Sequence, residues 1–307
     1  MEIKSVDDIL KFATDCPSAR MAVAAPEDDA SLEAVKVAIE KHIVTAVFTG
    51  CKAKIEKAMK RLDMTFENID IVDADGYEDA SLKAVSLVKN GDAQLLMKGT
   101  VHTDQILRAV LDKNNGLRTG SLLSHALIFN HEKINKPVIL TDAAMNIAPD
   151  LSQKVGILKN AAHLMKVVFG KEICKAAILA ALETVNPKMQ ATLDAAYISK
   201  MSQRGQIPGV IADGPLALDN ALFAEAAKTK GIDSPVAGDA DILLVPFIEC
   251  GNVLYKSLTL LAGINAAGII CGAAAPVVFT SRADDMKLKL NSIALGATAA
   301  VRGYGKR

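Results

Sequence analysis

The sequence predicts an α/β protein in which doubly wound, mostly parallel sheets are covered by helices. Three observations support this class. The chain is 50% hydrophobic but only 4% aromatic, and an aliphatic composition of this kind suits buried parallel strands. Short apolar runs alternate with segments of helical periodicity. The connections between them are short, and repeated βα units of this type pack into parallel sheets with helices on both faces.

The first half of the chain contains six predicted strands, most of them followed by a helix. The strands are expected at residues 21–26, 45–50, 69–72, 94–99, 125–130 and 138–141. The first helix is predicted because Leu32, Val35 and Ile39 repeat at helical spacing after the potential caps Asp28 and Ser31. Further helices are predicted through residues 58–62, over 81–88 and from about 103.

The second half continues the alternation. Strands are predicted at 175–185, 209–213, 241–246 and 276–280, and helices at 152–169, 192–201, 219–230, 256–267 and 286–301. No linker marks a border. We predict a first α/β domain from residues 1–141 plus 268–307 and a second from 142–267. A chain that leaves and re-enters the first domain in this way brings two groups of motifs together across an interdomain cleft.

Composition excludes several classes of function. The 35 basic and 35 acidic residues cancel, which argues against general binding to nucleic acid or to anionic membranes. The five cysteines are far apart and fit a reduced compartment better than a disulfide framework. No stretch approaches the roughly 18 uninterrupted apolar residues that a membrane-spanning helix needs. The N-terminal segment has acidic residues where a signal peptide would need an unbroken apolar run. We therefore expect a soluble, cytoplasmic protein.

Ligands of open α/β sheets bind at the carboxyl ends of strands, near the N-termini of helices. The first candidate segment there is MKGTVHT (97–103), in which Lys98, Gly99, Thr100 and Thr103 provide a cation, close backbone approach, free amides and hydroxyls for an anion. The alternative is a capped helix with a solvated lysine. His102 fits a turn better than a catalytic role.

Three further segments follow predicted strands or lie in polar loops. In 115–121, Arg118 either grips a phosphate or decorates a surface turn. In DGPLALD (213–219), Asp213 and Asp219 bracket a predicted sharp turn, and Asp219 is expected to cap a helix. In 249–256, Gly251 and Asn252 are expected at a helix start, where they offer an amide group to a ligand; Cys250 is interpreted as a bystander.

The fourth candidate site combines a hydroxyl, a guanidinium and a carboxylate within four residues. Ser281, Arg282 and Asp284 follow the apolar run 276–279 and precede the terminal helix. A surface salt-bridge cluster is the alternative interpretation. Position at a strand end favours a binding or catalytic site.

Taken together, these segments resemble the phosphate acetyl/butyryl transferase family over nearly the whole chain, with the butyryl members more similar. The resemblance rests on an ordered set of motifs: MKGTVHT (97–103), GLRTG (116–120), VNPKM (185–189), ATLDAA (191–196), SKMSQRGQIPG (199–209), DGPLALD (213–219), GNVLYK (251–256), APVVFTSRADD (275–285) and NSIALGA (291–297). It implies two α/β domains with an interdomain cleft, in the isocitrate/isopropylmalate dehydrogenase-like architecture. It also implies a homo-oligomer, a dimer or a multiple of dimers.

The resemblance further implies transfer of a short acyl group, butyryl or possibly acetyl or propionyl, between coenzyme A and phosphate, without a metal or redox cofactor. The implied partners are acyl-CoA, phosphate and acyl phosphate, with coenzyme A as a substrate. Arg282 is implied as the phosphate clamp, Ser281 as a hydrogen-bond donor and Asp284 as the nearest match to the base. Lys98, Gly99, Thr100, Thr103, Gly251 and Asn252 match its binding loops, Asp213 lies in a further shared motif, and Arg108 and Arg118 are weaker candidates for the phosphates of coenzyme A.

The chain departs from the family pattern at three places. Acetyl enzymes carry their acidic residue where this chain has Lys287 and Leu288, which leaves the base unassigned. Asp285 stands where butyryl relatives often have Ser, and Cys250 replaces a Thr. Two rival functions fit the sequence less well. An NAD(P)- and metal-dependent decarboxylase of the same architecture lacks a GxGxxG fingerprint, and a non-catalytic CoA-binding protein is disfavoured by the intact Lys98, Ser281, Arg282 and Asp284.

Overall fold

The computed structural model describes residues 1–65, 69–281 and 284–305. The chain forms two compact α/β units, which confirms the predicted fold class. One unit consists of Met1–Ile3, Asp7–Ser121 and Ala267–Arg307, and the other of Lys4–Val6 and Leu122–Ala266.

The elements alternate in the order expected of βα units. The helices are α1 (Val6–Asp15), α2 (Asp29–Glu40), α3 (Lys52–Arg61), α4 (Gly76–Lys89), α5 (Thr103–Val110), α6 (Leu151–Phe169), α7 (Gln190–Gln203), α8 (Leu218–Leu222), α9 (Ala224–Thr229), α10 (Ile248–Lys256) and α11 (Met286–Val301). The strands are β1 (Ala19–Ala24), β2 (Val44–Gly50), β3 (Ile69–Asp73), β4 (Leu95–Lys98), β5 (Ser124–His131), β6 (Ile134–Thr141), β7 (Cys174–Leu179), β8 (Val210–Leu216), β9 (Ile242–Leu244), β10 (Ala266–Cys271) and β11 (Val277–Val278).

The first unit is built on a sheet with the strand order β3-β2-β1-β4-β11-β10. All neighbours in it are parallel except β10, which runs antiparallel to β11. Helix α2 packs on α11, and α4 packs on α5, so helices cover both faces. The central strands are buried on both sides, as their continuous apolar sequences predict.

The second unit has the strand order β5-β6-β9-β7-β8. Strands β5 and β6 form an antiparallel hairpin, and the remaining neighbours are parallel. Helix α6 packs against these strands and against α7. Its N-terminus carries a capping box in which Asp150 and Gln153 each accept the other's backbone N–H.

Strand β8 is an edge strand whose outward backbone groups are bonded by serines of α7. The Ser202 hydroxyl donates to the carbonyl of Val210 (2.8 Å) and accepts from the N–H of Ala212 (2.8 Å). The Ser199 hydroxyl donates to the carbonyl of Ala195 in its own helix (2.8 Å) and lies 3.2 Å from the carbonyl of Gly214, which can share that proton. The motif SKMSQRGQIPG therefore has a structural role, because the Ser202 hydroxyl takes the place of part of a neighbouring strand.

Two predicted elements differ in type from the structure. The helix predicted over 256–267 is helical only to Leu261, as the last residue of α10 and a π-helical turn over Ser257–Leu261, and its last two residues begin the buried strand β10. Gly263 takes a left-handed φ of 62° and ends the helical path there. The sharp turn predicted at 213–215 is also wrong, because Asp213, Gly214 and Pro215 continue strand β8.

Other elements differ in their limits. The strand predicted to reach residue 185 ends at Leu179, and the helix predicted over 219–230 is divided into α8 and α9 at Phe223, whose backbone is extended. Asp219 does not cap a helix, since the N-cap of α8 is Ala217. Helix α11 begins and ends where predicted.

The division between the units also differs from the predicted one. The sequence-based border places residues 122–141 in the first domain, whereas the structure groups them with the second. The reason is strand pairing. Strand β6 lies beside β9 in parallel, with Leu140 opposite Leu243, and β5 is tied to β6 by the hairpin.

No helix in the described parts of the chain combines the length and the apolar character needed to cross a membrane.

In the second unit, a surface ion cluster joins the loop after β7 and helix α8 to the C-terminal end of α9. Lys230 donates to Glu183 (2.5 Å) and pairs with Asp219 (3.2 Å), and Asn220 also donates to Glu183. The hydrogen bond from Lys230 lowers the pKa of Glu183. The backbone N–H of Asn220, followed by Lys230, lowers the pKa of Asp219. Both carboxyl groups therefore favour the folded state when they are ionised.

We predict that Lys230→Met lowers the thermal unfolding temperature at neutral pH and loses this effect in acid. A carboxyl group whose pKa is depressed in the folded state stabilises the fold above its unfolded-state pKa, and this stabilisation is lost as the pH falls through the folded-state pKa. The difference in unfolding temperature between the variant and wild type should therefore fade below about pH 4. Thermal unfolding of both proteins between neutral and acidic pH measures it. Lys228→Met, at another exposed lysine in the last turn of α9, is the control. A difference from wild type that stays constant with pH contradicts the assignment.

Candidate active site at the carboxyl edge of the first sheet

Three adjacent parallel strands end together at one edge of the first sheet. Ala24 of β1 lies opposite Lys98 of β4, and Met97 lies opposite Val278 of β11. The segments that follow these strands, residues 25–28, 99–102 and 279–281, therefore leave the sheet side by side. The segments that contain Lys98 and Ser281 thus share the edge at which ligands of parallel sheets bind.

The loop after β4 lies directly on the loop after β1. The N–H of Gly99 donates to the carbonyl of Ala24 (3.0 Å), and the N–H of Thr100 donates to that of Ala25 (2.8 Å). A Cβ atom at Gly99 would lie 2.5 Å from the carbonyl oxygen of Ala25. The prediction that these amides are free to bind an anion was therefore wrong, because the fold uses both of them.

The ammonium of Lys98 is held by its own loop. Its Nζ donates to the carbonyls of Gly99 and Val101, each at 3.1 Å, and the side chain is half-buried. These two carbonyls bracket Thr100, whose hydroxyl donates to Asp28 at 3.0 Å. The lysine charge is thus fixed at the sheet edge rather than extended into solvent.

The loop after β1 contains a strained residue that the sequence does not reveal. Ala25 is buried and has a φ of 48°, in the left-handed region that alanine rarely adopts. Its N–H donates to Thr49 of β2, and its carbonyl accepts from Glu27 and Thr100. Strain of this kind persists only where the surroundings over-determine it, which is common at functional sites.

Ser281 and Asp284, which lie between β11 and α11, are bonded to each other. The backbone N–H of Ser281 donates to the carboxylate of Asp284 (2.6 Å), and the N–H of Asp284 donates back to the carbonyl of Ser281 (3.2 Å). Asp285 caps α11 by accepting from the N–H of Leu288 (2.7 Å). Arg282 lies outside the described residues. Asp285, a departure from the family pattern, therefore has a structural role as a helix cap.

The remaining candidates of the first unit are exposed. Thr103 is the first residue of α5. Arg108 forms an ion pair with Asp104 at 2.5 Å, one turn earlier on the same helix. Arg118 pairs with Ala273 as an isolated antiparallel bridge, so the loop 116–120 is held to the segment after β10. Thr119 strengthens this contact by donating to the carbonyl of Gly272 (2.5 Å).

The candidates of the second unit lie on regular elements. Asp213 is half-buried within β8, next to an open cavity of about 530 Å³ that Ser199, Lys200 and Asp233 also line. Gly251 and Asn252 lie in the second turn of α10 rather than at its start. The N–H of Gly251 donates to Phe247, so its predicted availability to a ligand was wrong.

Gly251 is needed instead for close packing. A Cβ atom there would lie 2.9 Å from the Cα of Ala143, and Asn252 donates to the carbonyl of Ala143 (3.3 Å). The neighbouring Asp142 is buried and accepts from the N–H groups of Ala144 and Met145, each at 2.9 Å. The side-chain amide of Asn146 also donates to this carboxylate. This turn at the end of β6 was not identified from the sequence.

Asp28 also belongs to the candidate site, although sequence reasoning predicted only its role as a helix cap. Its cap on α2 was predicted and is present, with the N–H of Ser31 donating to Oδ1 (2.8 Å). Its second oxygen binds Thr100, which is 72 residues away in the chain. No local pattern reports a contact between residues so far apart.

In the residues that the structure describes, no group of three or more His, Cys, Asp or Glu side chains is placed to hold a metal ion. That the reaction needs no metal or redox cofactor stays a prediction.

Comparisons with known proteins agree with this fold and these motifs. The family model described as "Phosphate acetyl/butaryl transferase" matches residues 76–297. The phosphate butyryltransferase of Clostridium beijerinckii is 44% identical over 97% of this chain and 99% of its own. A branched-chain phosphotransacylase of Enterococcus faecalis superposes with a TM-score of 0.81 at 31% identity, over 92% of this chain and 99% of its own.

A more distant structure shares the fold alone. The 4-hydroxythreonine-4-phosphate dehydrogenase of Klebsiella pneumoniae superposes with a TM-score of 0.57 at 13% identity, over 92% of this chain and 100% of its own. This likeness agrees with the predicted dehydrogenase-like architecture. The fold and the relatives together define an acyltransferase. More particularly, the chain belongs to the phosphate acetyl/butyryl transferase family, as its motifs predicted.

We predict that Gly99→Ala displaces the loop after β4. The added methyl group would meet two backbone carbonyls, which cannot move aside as a flexible side chain can. Overpacking of this kind costs about 1–3 kcal/mol, and activity should fall with it. Thermal unfolding and turnover measure the effect. Gly156→Ala is the matched control, since its nearest neighbour would be the Cβ of Leu122 at 3.7 Å. Equal behaviour of the two variants contradicts the packing argument.

Proposed function

We propose that the protein transfers a short acyl group, butyryl in the first place, between coenzyme A and inorganic phosphate. The observation that carries this proposal is the 44% identity to a phosphate butyryltransferase over 97% of the chain. The reaction interconverts acyl-CoA plus phosphate with acyl phosphate plus coenzyme A. Acetyl and propionyl groups are further candidates, because a pocket distinguishes one methylene by only about 1–3 kcal/mol.

The reaction requires that the two reactants are held in line and that the negative charge developing on the carbonyl oxygen is stabilised. A phosphate oxygen attacks the thioester carbonyl carbon, a tetrahedral oxyanion forms, and the C–S bond then breaks to release the thiolate, which takes up a proton. In the reverse direction the thiolate attacks the carbonyl of the acyl phosphate and the C–O bond to phosphate breaks. Fixed positive charge and positioned donors serve both directions.

The first sheet edge offers groups for these tasks. Lys98 supplies a fixed positive charge for the phosphate, and Thr103 lies at the N-terminus of α5, where the helix dipole favours an anion. Ser281 is exposed and its hydroxyl is proposed to donate to the phosphate or to the oxyanion. Arg282 is proposed as a bidentate phosphate clamp on the basis of the family motif.

The base is assigned less directly. Asp284 is the carboxylate nearest to the motif, and one of its oxygens accepts the backbone N–H of Ser281. This bond fixes the carboxylate beside Ser281, which supports a role in receiving the thiol proton or in orienting the turn. Lys287, in the position where acetyl enzymes carry an acid, is exposed on α11.

The phosphates of coenzyme A are proposed to bind exposed arginines. Arg118 lies in a loop that backbone bonds hold in place, whereas Arg108 would first have to leave Asp104. Asp213 and Asn252 are proposed as contacts in the second unit on the basis of their shared motifs, and Gly251 as the residue that lets α10 approach the turn at Asp142.

We also propose a cellular location and an oligomeric state. The odd number of widely spaced cysteines, none of which forms a disulfide among the described residues, supports a reducing, cytoplasmic location. A homo-oligomer, a dimer or a multiple of dimers, is proposed from the family pattern.

The proposed activity predicts phosphate-dependent release of free thiol from butyryl-CoA. Purified protein is mixed with butyryl-CoA and phosphate, and the thiol is followed with a chromogenic disulfide. Sulfate in place of phosphate is the control, because it matches the ion in size but forms no acyl phosphate. Acetyl-, propionyl- and branched acyl-CoA define the acyl range. Thiol release that does not depend on phosphate with any of these substrates contradicts the proposed function.

Arg282→Ala is predicted to lower turnover by about a hundredfold or more, as loss of a preorganised charge contact does. Arg282→Lys keeps the charge without the bidentate geometry and should recover only part of the rate. Arg20→Ala removes an exposed arginine at the opposite end of β1 and should leave turnover near that of wild type. If Arg282→Ala retains the wild-type rate, the phosphate clamp lies elsewhere.

A further inference from the structure

Thr100 stands between the two carbonyl groups that hold the ammonium of Lys98. Those carbonyls belong to Gly99 and Val101, its neighbours in the chain. Any movement of Thr100 therefore moves the two carbonyl groups that hold the lysine ammonium. Three contacts fix Thr100: its N–H donates to Ala25 (2.8 Å), its hydroxyl accepts from the N–H of Glu27 (3.3 Å), and the same hydroxyl donates to Asp28 (3.0 Å).

Asp28 is itself fixed from the other side. Its Oδ1 accepts the N–H of Ser31 and caps α2, while its Oδ2 accepts the hydroxyl of Thr100. The carboxylate is half-buried, so water competes weakly for these bonds. One side chain thus joins the first turn of α2 to the loop after β4.

We infer that Asp28 and Thr100 are positioning residues that hold Lys98 in place for phosphate, and that Thr100 is not itself a phosphate ligand. This inference rests on the proposed function and deepens it. The hydroxyl of Thr100 has one proton, which it gives to Asp28, and it also accepts from Glu27. A phosphate oxygen would have to displace Asp28 to receive that proton.

Charge alone predicts the opposite effect of removing Asp28. A carboxylate near an anion site repels phosphate, so its loss should strengthen phosphate binding if it has no other role. A positioning role predicts weaker phosphate binding, because the two carbonyl groups that hold Lys98 would be less well fixed. The sign of the change in phosphate affinity therefore separates the two explanations.

The test compares three variants. Asp28→Ser keeps a side chain that can cap α2 but is too short to bridge to Thr100. Thr100→Val removes the hydroxyl at nearly constant shape, and Thr100→Ser retains it. Thr14→Val is the matched control, because Thr14 is an exposed helical threonine whose hydroxyl donates to the carbonyl of Leu10 in its own helix.

Asp28→Ser and Thr100→Val are each expected to raise the KM for phosphate by about tenfold, the effect of one hydrogen bond to a charged group. The KM for acyl-CoA should stay near that of wild type. The double variant should resemble either single variant, because both remove the same bond. Thr100→Ser should restore the wild-type KM. The rise in unfolding temperature that phosphate produces provides a binding measurement that does not need turnover.

Each outcome decides the matter. An unchanged or lower phosphate KM in Asp28→Ser overturns the inference and shows that charge repulsion dominates. Additive effects in the double variant also overturn it, because Thr100 would then act independently of Asp28. If wild type shows no phosphate-dependent thiol release, the proposed function is contradicted. If wild type nevertheless binds phosphate and the variants do not, the positioning role is still supported. No thermal effect of phosphate on wild type overturns the inference too.

Discussion

The contact between Gly99 and the carbonyls of Ala24 and Ala25 determines how the candidate site of the first unit is built. Because no side chain separates these two loops, strands β1 and β4 can end in register and their loops can exchange backbone hydrogen bonds. The left-handed Ala25 aims its carbonyl at Thr100, and Lys98 folds over the carbonyls on either side of Thr100. Backbone carbonyls therefore help to place this positive charge at the sheet edge.

The second unit uses glycine in a similar way at a different place. Gly251 lets α10 approach the backbone of the turn at Asp142 and Ala143, and its own N–H is used inside the helix. In both units a motif glycine thus serves close packing of backbone on backbone. The amide groups that glycine-rich motifs often present to anions are already bonded at Gly99 and Gly251, so ligand binding depends more on side chains here.

Local patterns predicted much of this fold. The limits of α11, the cap at Asp28 and the central strands follow from periodicity and capping residues. The segment after Lys256 was misjudged because its apolar residues suit a helix and a buried strand equally well, and only the turn at Gly263 separates them. For the site, the motifs identified Lys98 and Ser281. The bridge from Asp28 to Thr100 could not be predicted, since it depends on the pairing of β1 with β4 and not on sequence spacing.

The serines of α7 have a consequence for how copies of this chain can associate. The Ser202 hydroxyl bonds the carbonyl of Val210 and the N–H of Ala212, so β8 does not offer these two groups to an incoming strand. A continuous sheet across two molecules would first have to break those bonds. This makes β8 a poorer site for edge-to-edge pairing between folded copies of the chain.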